Sequence, residues 1–310
     1  MEFFHRATHF PFMHTRKLWY ALSAVLVIIS IASLATLGLN FGVDFTGGVT
    51  VQASFPGPAN RDAVAAALTR DGYTDAQVTL FGSSSVVAIR LPPTKESTDA
   101  VRARLEQVLH QVDSGAQIQQ VQNIGPQVGN ELKRSAMEAL GATLLLIFGY
   151  IALRFHTWRL SLGAILAVLH DPILVLGAFS LMRTSFDLTV VAAMLAVIGY
   201  SLNDTVVVFD RIRERFLVSR RVPPAEVLDQ SINQTLSRTI MTKVVTLIVV
   251  VALYALGGPV LKGFSLALII GIVVGTYSSI YISSAAALDC GLTADHLLPA
   301  ATKKPVDSLP

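Results

Sequence analysis

Asn203 and Asp204 form a polar pair inside an otherwise apolar stretch, residues 188–209. Two neighbouring apolar stretches also carry ionisable groups: His170 and Asp171 in one, Arg238 and Lys243 at the start of the other. A charge near the centre of a bilayer costs about 2.5–3.5 kcal/mol on insertion scales, so ionisable groups kept there point to function. An acid, a histidine and two bases in adjacent spans have the chemistry of a proton path or an ion site. A carboxylate in low dielectric holds its proton, and a cation brought alongside makes it let go. A motion carrying Arg238 towards and away from Asp204 would make the acid release and take up a proton in turn. The alternative is a static buried ion pair or an interhelical clamp.

Helical spacing decides which of these groups can cooperate. In the fourth apolar stretch Ser201, Asp204, Thr205 and Val208 share a face, Asn203 points elsewhere, and Arg211 lies two turns beyond Asp204. In the fifth, Arg238, Thr239, Thr242 and Thr246 fall within roughly a quarter-turn arc at 100° per residue. Lys243 sits at the edge of that arc. It is expected to snorkel to the interface, with a second counter-ion for Asp204 as the other role. Pro172 follows Asp171 and removes one backbone donor from that helix. Asp204 lies roughly 7–10 Å from the end of its helix, and His170 roughly 15 Å from the start of its own. The candidate path therefore comprises Asp204, Arg238, Asp171, His170, Lys243, Asn203 and Thr242.

The elements that must position these groups are membrane helices. Of 310 residues 52% are hydrophobic and only 15% charged, too apolar a balance for a soluble domain. Six stretches are long enough to span: 18–38, 134–153, 160–181, 188–209, 239–256 and 264–288. The first is a retained helix rather than a cleaved signal. Its apolar run exceeds the usual ~7–15 residues, and no Ala-x-Ala-like site follows. Basic residues cluster in alternate segments. Arg6, Arg16 and Lys17 precede the first span, and Arg154 and Arg159 follow the second. Arg211, Arg213, Arg215, Arg220 and Arg221 follow the fourth, and Lys303 and Lys304 close the chain. The positive-inside rule then puts residues 1–17 and 289–310 in the cytoplasm and residues 39–133 outside. The Arg-rich segment is a topology signal, not a nucleic-acid surface. The single cysteine, Cys290, offers no disulfide and is read as incidental.

The external segment reads βαββαβ. Residues 49–55, 76–81, 86–91 and 117–122 are strand-like, with residues 82–85 as a hairpin turn between the second and third. Asn60 caps a helix over 61–70, and Ser97 caps one over 98–112. That order is the ferredoxin-like arrangement, a four-stranded antiparallel sheet backed by two helices. Two glycine-rich junctions flank it, 41–48 (FGVDFTGG) and 124–129 (IGPQVG). Asp44, Gly47, Gly48, Gly125, Pro126 and Gly129 are candidates for a hinge between domain and membrane, with simple turns as the plainer reading. Gly47-Gly48 is no phosphate loop, because no Walker lysine follows. Residues 210–238 are expected to be a cytoplasmic loop. In it Pro223-Pro224 starts a surface helix with Ala225, Leu228 and Ile232 on one face. Gly271 and Gly275 suit close helix packing.

The motifs together resemble the SecF family, membrane subunits of the bacterial Sec export machinery and relatives of the proton-driven RND transporters. They are 41–48, 124–129, Leu169-His170-Asp171, 199–214 (GYSLNDTVVVFDRIRE) and 231–242 (SINQTLSRTIMT). The resemblance covers nearly the whole chain. It implies an integral inner-membrane protein of six helices that works with a SecD-like six-span subunit. It implies a role after the SecYEG channel and SecA have driven a translocating polypeptide across, powered by a coupling ion taken as H+ rather than Na+. By motif Asp204 and Arg238 fall on the family's proton path. One position departs: Lys243 stands where the family usually carries a small hydroxylic residue. Enzymatic activity is not expected, since no GxSG elbow and no HExxH is present. A half-unit of an RND-type exporter for small molecules or lipids is the alternative.

Overall fold

The computed structural model describes residues 8–94, 96–155, 157–219 and 221–297. The expectations attached to Arg6, Arg220, Lys303 and Lys304 lie outside the described residues. Six stretches are helical, long and apolar enough to cross a membrane. They are built from α1 (Arg16–Thr36), α5 (Pro126–Phe155), α6 (Trp158–Met182), α7 (Leu188–Val218), α8 (Pro224–Leu256), and a sixth made of α9 (Gly258–Tyr277), a π-helical turn (Ser278–Ile282) and α10 (Ser283–Asp289).

Burial in these helices is inverted relative to a soluble protein. On α1 the buried residues are Ser23, Ser30 and Ser33, while Leu18, Val25, Ile28 and Ile31 are exposed. Ser201, Ser265, Ser278, Ser279, Ser283 and Ser284 are likewise buried, and Leu145, Leu146, Ile248 and Val249 face outward. Water would penalise that arrangement, whereas hydrocarbon favours it: apolar side chains meet lipid and small polar ones pack between helices. Glycines let the helices close up. A Cβ on Gly163 would lie 2.2 Å from the Ser283 carbonyl oxygen, and one on Gly271 would lie 2.2 Å from Val197.

Between α1 and α5 the chain builds a separate core. Strands β2 (Gly48–Ser54), β3 (Gln77–Phe81), β4 (Ser83–Leu91) and β5 (Gln117–Ile124) form an antiparallel sheet in the order β3-β4-β2-β5. Helices α3 (Arg61–Arg70) and α4 (Thr98–Val112) share one apolar core with it. Val49, Val51 and Ala53 alternate into that core and meet Val64, Leu68, Val101 and Leu105. Asn60 and Ser97 accept hydrogen bonds from the Ala63 and Ala100 amides, which sets both helix starts. The expected hairpin turn over 82–85 is shorter in the structure. Only Gly82, with φ 81°, turns the chain, and Ser83 already pairs with Phe81.

Three further differences from expectation have physical causes. Residues 210–238 are not a loop with a surface helix. Helix α7 runs on to Val218, and α8 starts at Pro224 and continues unbroken into the apolar stretch. No glycine or proline interrupts residues 225–256. At 1.5 Å per residue α8 is about 50 Å long, well beyond a hydrocarbon core of about 30 Å. The overhangs of α7 and α8 pack through Ile212, Phe216, Val227, Leu228 and Ile232. The N-terminal segment is fastened there: Asn233 Oδ1 accepts from the Phe10 amide (3.0 Å), its Nδ2 donates to the Phe10 carbonyl (2.9 Å), and Asp229 accepts from the Met13 amide (2.8 Å). Second, α5 begins at Pro126, inside the stretch expected to be external. Third, two-residue strands β1 (Asn40–Phe41) and β6 (Ser185–Phe186) pair in parallel just outside the helices, too short to leave a periodic signal.

Candidate ion-path site

The expected meeting of His170, Asp171, Asp204 and two bases does not occur at one point. The structure forms two clusters, stacked along α7 through Ser201 and Asp204, residues one turn apart.

The first cluster surrounds Asp171, which is fully buried. Its Oδ2 accepts from the hydroxyls of Ser201 on α7 and Ser278 in the π turn, the latter at 3.0 Å. Its Oδ1 lies 3.0 Å from His170 Nδ1. His170 Nε2 in turn faces Ser23 Oγ at 2.5 Å and the Tyr277 hydroxyl at 2.9 Å. His170 thus bridges Asp171 on one ring nitrogen and the Ser23 and Tyr277 hydroxyls on the other. The cluster therefore ties α1, α6, α7 and the sixth helix together. The π turn, a feature often found at functional sites, places Ser278 in it. Gly275 is part of the fit, since a Cβ there would lie 3.3 Å from Ser201 and 3.4 Å from Asp171 Oδ2.

The second cluster is an ion pair. Lys243 Nζ on α8 lies 2.6 Å from Asp204 Oδ2 on α7, and both side chains are 9% exposed. Apart from that ammonium, no described group bonds this oxygen. The ammonium also lies 6.0 Å from the centre of the Tyr200 ring, at the outer reach of a cation–π contact. A cavity of about 460 Å³ opens beside the pair, lined by Tyr200, Asn203, Thr242, Thr246 and Ile272 among others. Thr242 and Thr246 donate to the Thr239 and Thr242 carbonyls of their own helix, at 2.9 and 2.8 Å.

Two expectations are corrected here. Lys243 does not snorkel; it is Asp204's partner. Arg238 is exposed and pairs with no carboxylate among the described residues. Of the arc read from Arg238 through Thr239, Thr242 and Thr246, Thr239 is buried and Thr242 and Thr246 line the cavity, while Arg238 is exposed. The buried stripe runs Ser231, Thr235, Thr239 and Lys243, at a strict four-residue spacing. That stripe was the signal available in the sequence. The sequence reading also missed Ser23, Tyr200, Tyr277 and Ser278, because serine and tyrosine in apolar helices carry no charge to single them out. Asp210, in the same motif as Asp204, is engaged elsewhere, with Arg154 at 2.7 Å. Among the described residues no cluster of three or more His, Cys, Asp or Glu is arranged to hold a metal ion.

The glycine-rich junctions lie against one another. Asp44 belongs to a short helical turn, α2 (Val43–Thr46), and is buried. Its Oδ1 accepts from Gln122 Nε2 on β5 (2.8 Å), and its Oδ2 accepts from the Leu188 amide at the start of α7 (3.0 Å). A carboxylate at a helix N-terminus is favoured by the helix dipole and by its unpaired amides. Gly47 and Gly48 have φ of 69° and 118°, a region closed to most side chains. A Cβ on Gly47 would lie 2.9 Å from Pro126 Cα, and one on Gly129 would lie 2.9 Å from the Gly47 nitrogen. Gly125 has open space around its Cβ position. Above this junction Arg90 on β4 bonds Ser185 and Asn40, and burial holds its guanidinium below the usual range without discharging it at neutral pH.

Two family models match the chain: the SecD/SecF protein export membrane protein, C-terminal, over residues 104–293, and the SecD/SecF GG motif over residues 32–55. The protein translocase subunit SecF of Haemophilus influenzae is 44% identical, with 96% of this chain and 91% of that protein covered. The subunit of the same name from Vibrio alginolyticus is 43% identical over 94% of this chain and 93% of its own. A Thermus crystal structure of SecDF, described as a translocon-associated membrane protein, superposes with a TM-score of 0.83 at 37% identity over 91% of this chain. A crystal structure of SecDF in its super-membrane-facing form superposes less closely, with a TM-score of 0.69 at 36% identity over 93% of this chain. In both cases this chain spans 39% of the SecDF chain. A family model over more than half the chain, and relatives above 40% identity over nearly all of it, place the chain in the SecD/SecF family of protein-export membrane proteins, among its SecF members.

Proposed function

We propose that this chain is the SecF-type half of a proton-driven export complex in the bacterial inner membrane. It pairs with a SecD-like six-span subunit and acts on polypeptide delivered by SecYEG and SecA. The observation that carries the reading is the Asp204–Lys243 pair: a buried carboxylate held by one cation, beside a cavity whose lining includes Asn203, Thr242 and Thr246. Proton arrival at Asp204 discharges the carboxylate and frees Lys243, so α7 and α8 change their mutual attraction with each proton that passes. The outer end of α7 is bonded to Asp44, and Asp44 to Gln122 of the sheet. A shift of α7 is thus delivered to the external domain. That domain has the strand order expected of a ferredoxin-like fold, and we place it in the periplasm, with both termini in the cytoplasm, on the distribution of arginine and lysine. The partner subunit covers the face holding Tyr200, Asn203, Thr242 and exposed Arg238, polar groups that lipid would not tolerate at that depth. The role is mechanical transport, with no bond made or broken in the polypeptide.

The test is export under an imposed proton gradient by the reconstituted complex. The Asp204→Asn variant keeps the shape of the side chain but carries no titratable charge. It is expected to assemble normally and lose at least 10-fold in gradient-dependent export, while the gradient-independent rate stays unchanged. Wild-type gradient dependence in that variant would remove Asp204 from the path.

A further inference from the structure

The lysine at position 243 does more than neutralise Asp204. Beside the pair, Asn203, Thr242 and Thr246 line the same cavity as Asp204, and all four residues carry side-chain oxygens of the kind a small monovalent cation takes. A bare metal cation needs several such oxygens at once, in positions it can reach. The Lys243 ammonium already stands 2.6 Å from Asp204 Oδ2, where such an ion would bind, and its side chain is 9% exposed. A proton faces no such obstacle: it needs one free lone pair on the carboxylate, and a carboxylate has about four acceptor sites.

We propose that Lys243 is a tethered cation that fixes the coupling ion as H+ by filling the place a Na+ would take beside Asp204. This rests on the reading of Asp204 as an ion-path group, and it assigns Lys243 as the residue that determines ion specificity. Removing the ammonium while keeping the helix exposes the oxygen set. Lys243→Ser adds a further hydroxyl to it and creates a Na+ site that the wild type lacks.

The experiment uses the full chain in complex with its SecD-like partner, purified in detergent. Thermal unfolding is compared in NaCl and in choline chloride at equal ionic strength. The wild type is expected to unfold at the same temperature in both. Lys243→Ser is expected to be stabilised by Na+, with a midpoint rise of about 2–4 °C at concentrations well above the dissociation constant. Adding Asp204→Asn to Lys243→Ser should abolish the rise, which locates the ion at Asp204. A Na+-specific rise in the wild type that disappears in Asp204→Asn would overturn the proposal, and so would a Lys243→Ser protein indifferent to Na+. If Lys243→Ser fails to assemble, binding of radioactive Na+ to the wild type decides: saturable binding lost in Asp204→Asn refutes the exclusion, and its absence upholds it. These readouts involve no export, so they stand apart from the gradient-driven assay of Asp204→Asn.

Discussion

Asp171 and Asp204 are both nearly sealed from solvent, at 0% and 6% exposed, yet their surroundings differ in kind. Asp171 is bonded on both oxygens: two serine hydroxyls on one and a histidine nitrogen on the other, each from an element packed tightly around it. Asp204 has one charged neighbour and an open cavity alongside. A fully bonded buried network rigidifies its surroundings, whereas a buried carboxylate held by a single cation depends on that one partner. The difference separates two tasks that the sequence presents as one constellation. On the proposed function, the Asp171 cluster holds four helices in register, and the Asp204 pair is the one that changes state.

Breaking the first task should give the largest loss of stability. Asp171→Ala strips a buried acceptor from Ser201, Ser278 and His170, and is expected to cost about 3 kcal/mol, read as a lowered unfolding midpoint in detergent. Asp171→Asn keeps an acceptor and lets the hydroxyls reorient, so it should retain most of that stability. A stability loss from Asp171→Asn equal to that from Asp171→Ala would mean that the charge, not the hydrogen-bond geometry, holds the cluster.

A smaller effect is expected where the ion pair is linked to the external sheet. Asp44→Ala removes two charge-assisted hydrogen bonds, at about 2 kcal/mol for the local opening. It should speed amide hydrogen exchange at the Leu188 end of α7 and along β5, and leave the Asp204 pair in place. Unchanged exchange there would show that the domain is held by other contacts, such as Lys262 with the Gly82 carbonyl at 2.9 Å.

The smallest effect belongs to Gly275→Ala. Its methyl group would approach Ser201 at 3.3 Å, so the Asp171 cluster must yield by a few tenths of an ångström. A cost of about 1 kcal/mol is expected, with no change in gradient-dependent export. Loss of export without loss of stability would place Ser201 in the moving part rather than the clamp.

The sheet domain was largely legible in the sequence because its rules are those of water-soluble folds. Val49, Val51 and Ala53 alternate, and Asn60 and Ser97 cap helices that end where Gly72 and the turn after Val112 require. The spans were legible by length and composition. Pairing inside the membrane was not. Charge drew the reading to Arg238, but position on the helix decides: Arg238 falls on the exposed face of α8, and Lys243 continues the buried stripe of Ser231, Thr235 and Thr239. One partner of Asp171, Ser278, comes from the π turn, whose extra residue shifts the helical phase that spacing arguments depend on. The continuity of α8 was hidden by its change from polar to apolar sequence, which reads as an element boundary although no helix breaker stands there.

The central claim is that Asp204, and not Asp171, exchanges protons. Infrared difference spectroscopy of the membrane-embedded complex across a pH step reads this directly, through the carbonyl stretch of a protonated carboxylic acid. The wild type should give such a band, Asp171→Asn should keep it, and Asp204→Asn should lose it. A band that survives in Asp204→Asn and vanishes in Asp171→Asn would reverse the two roles.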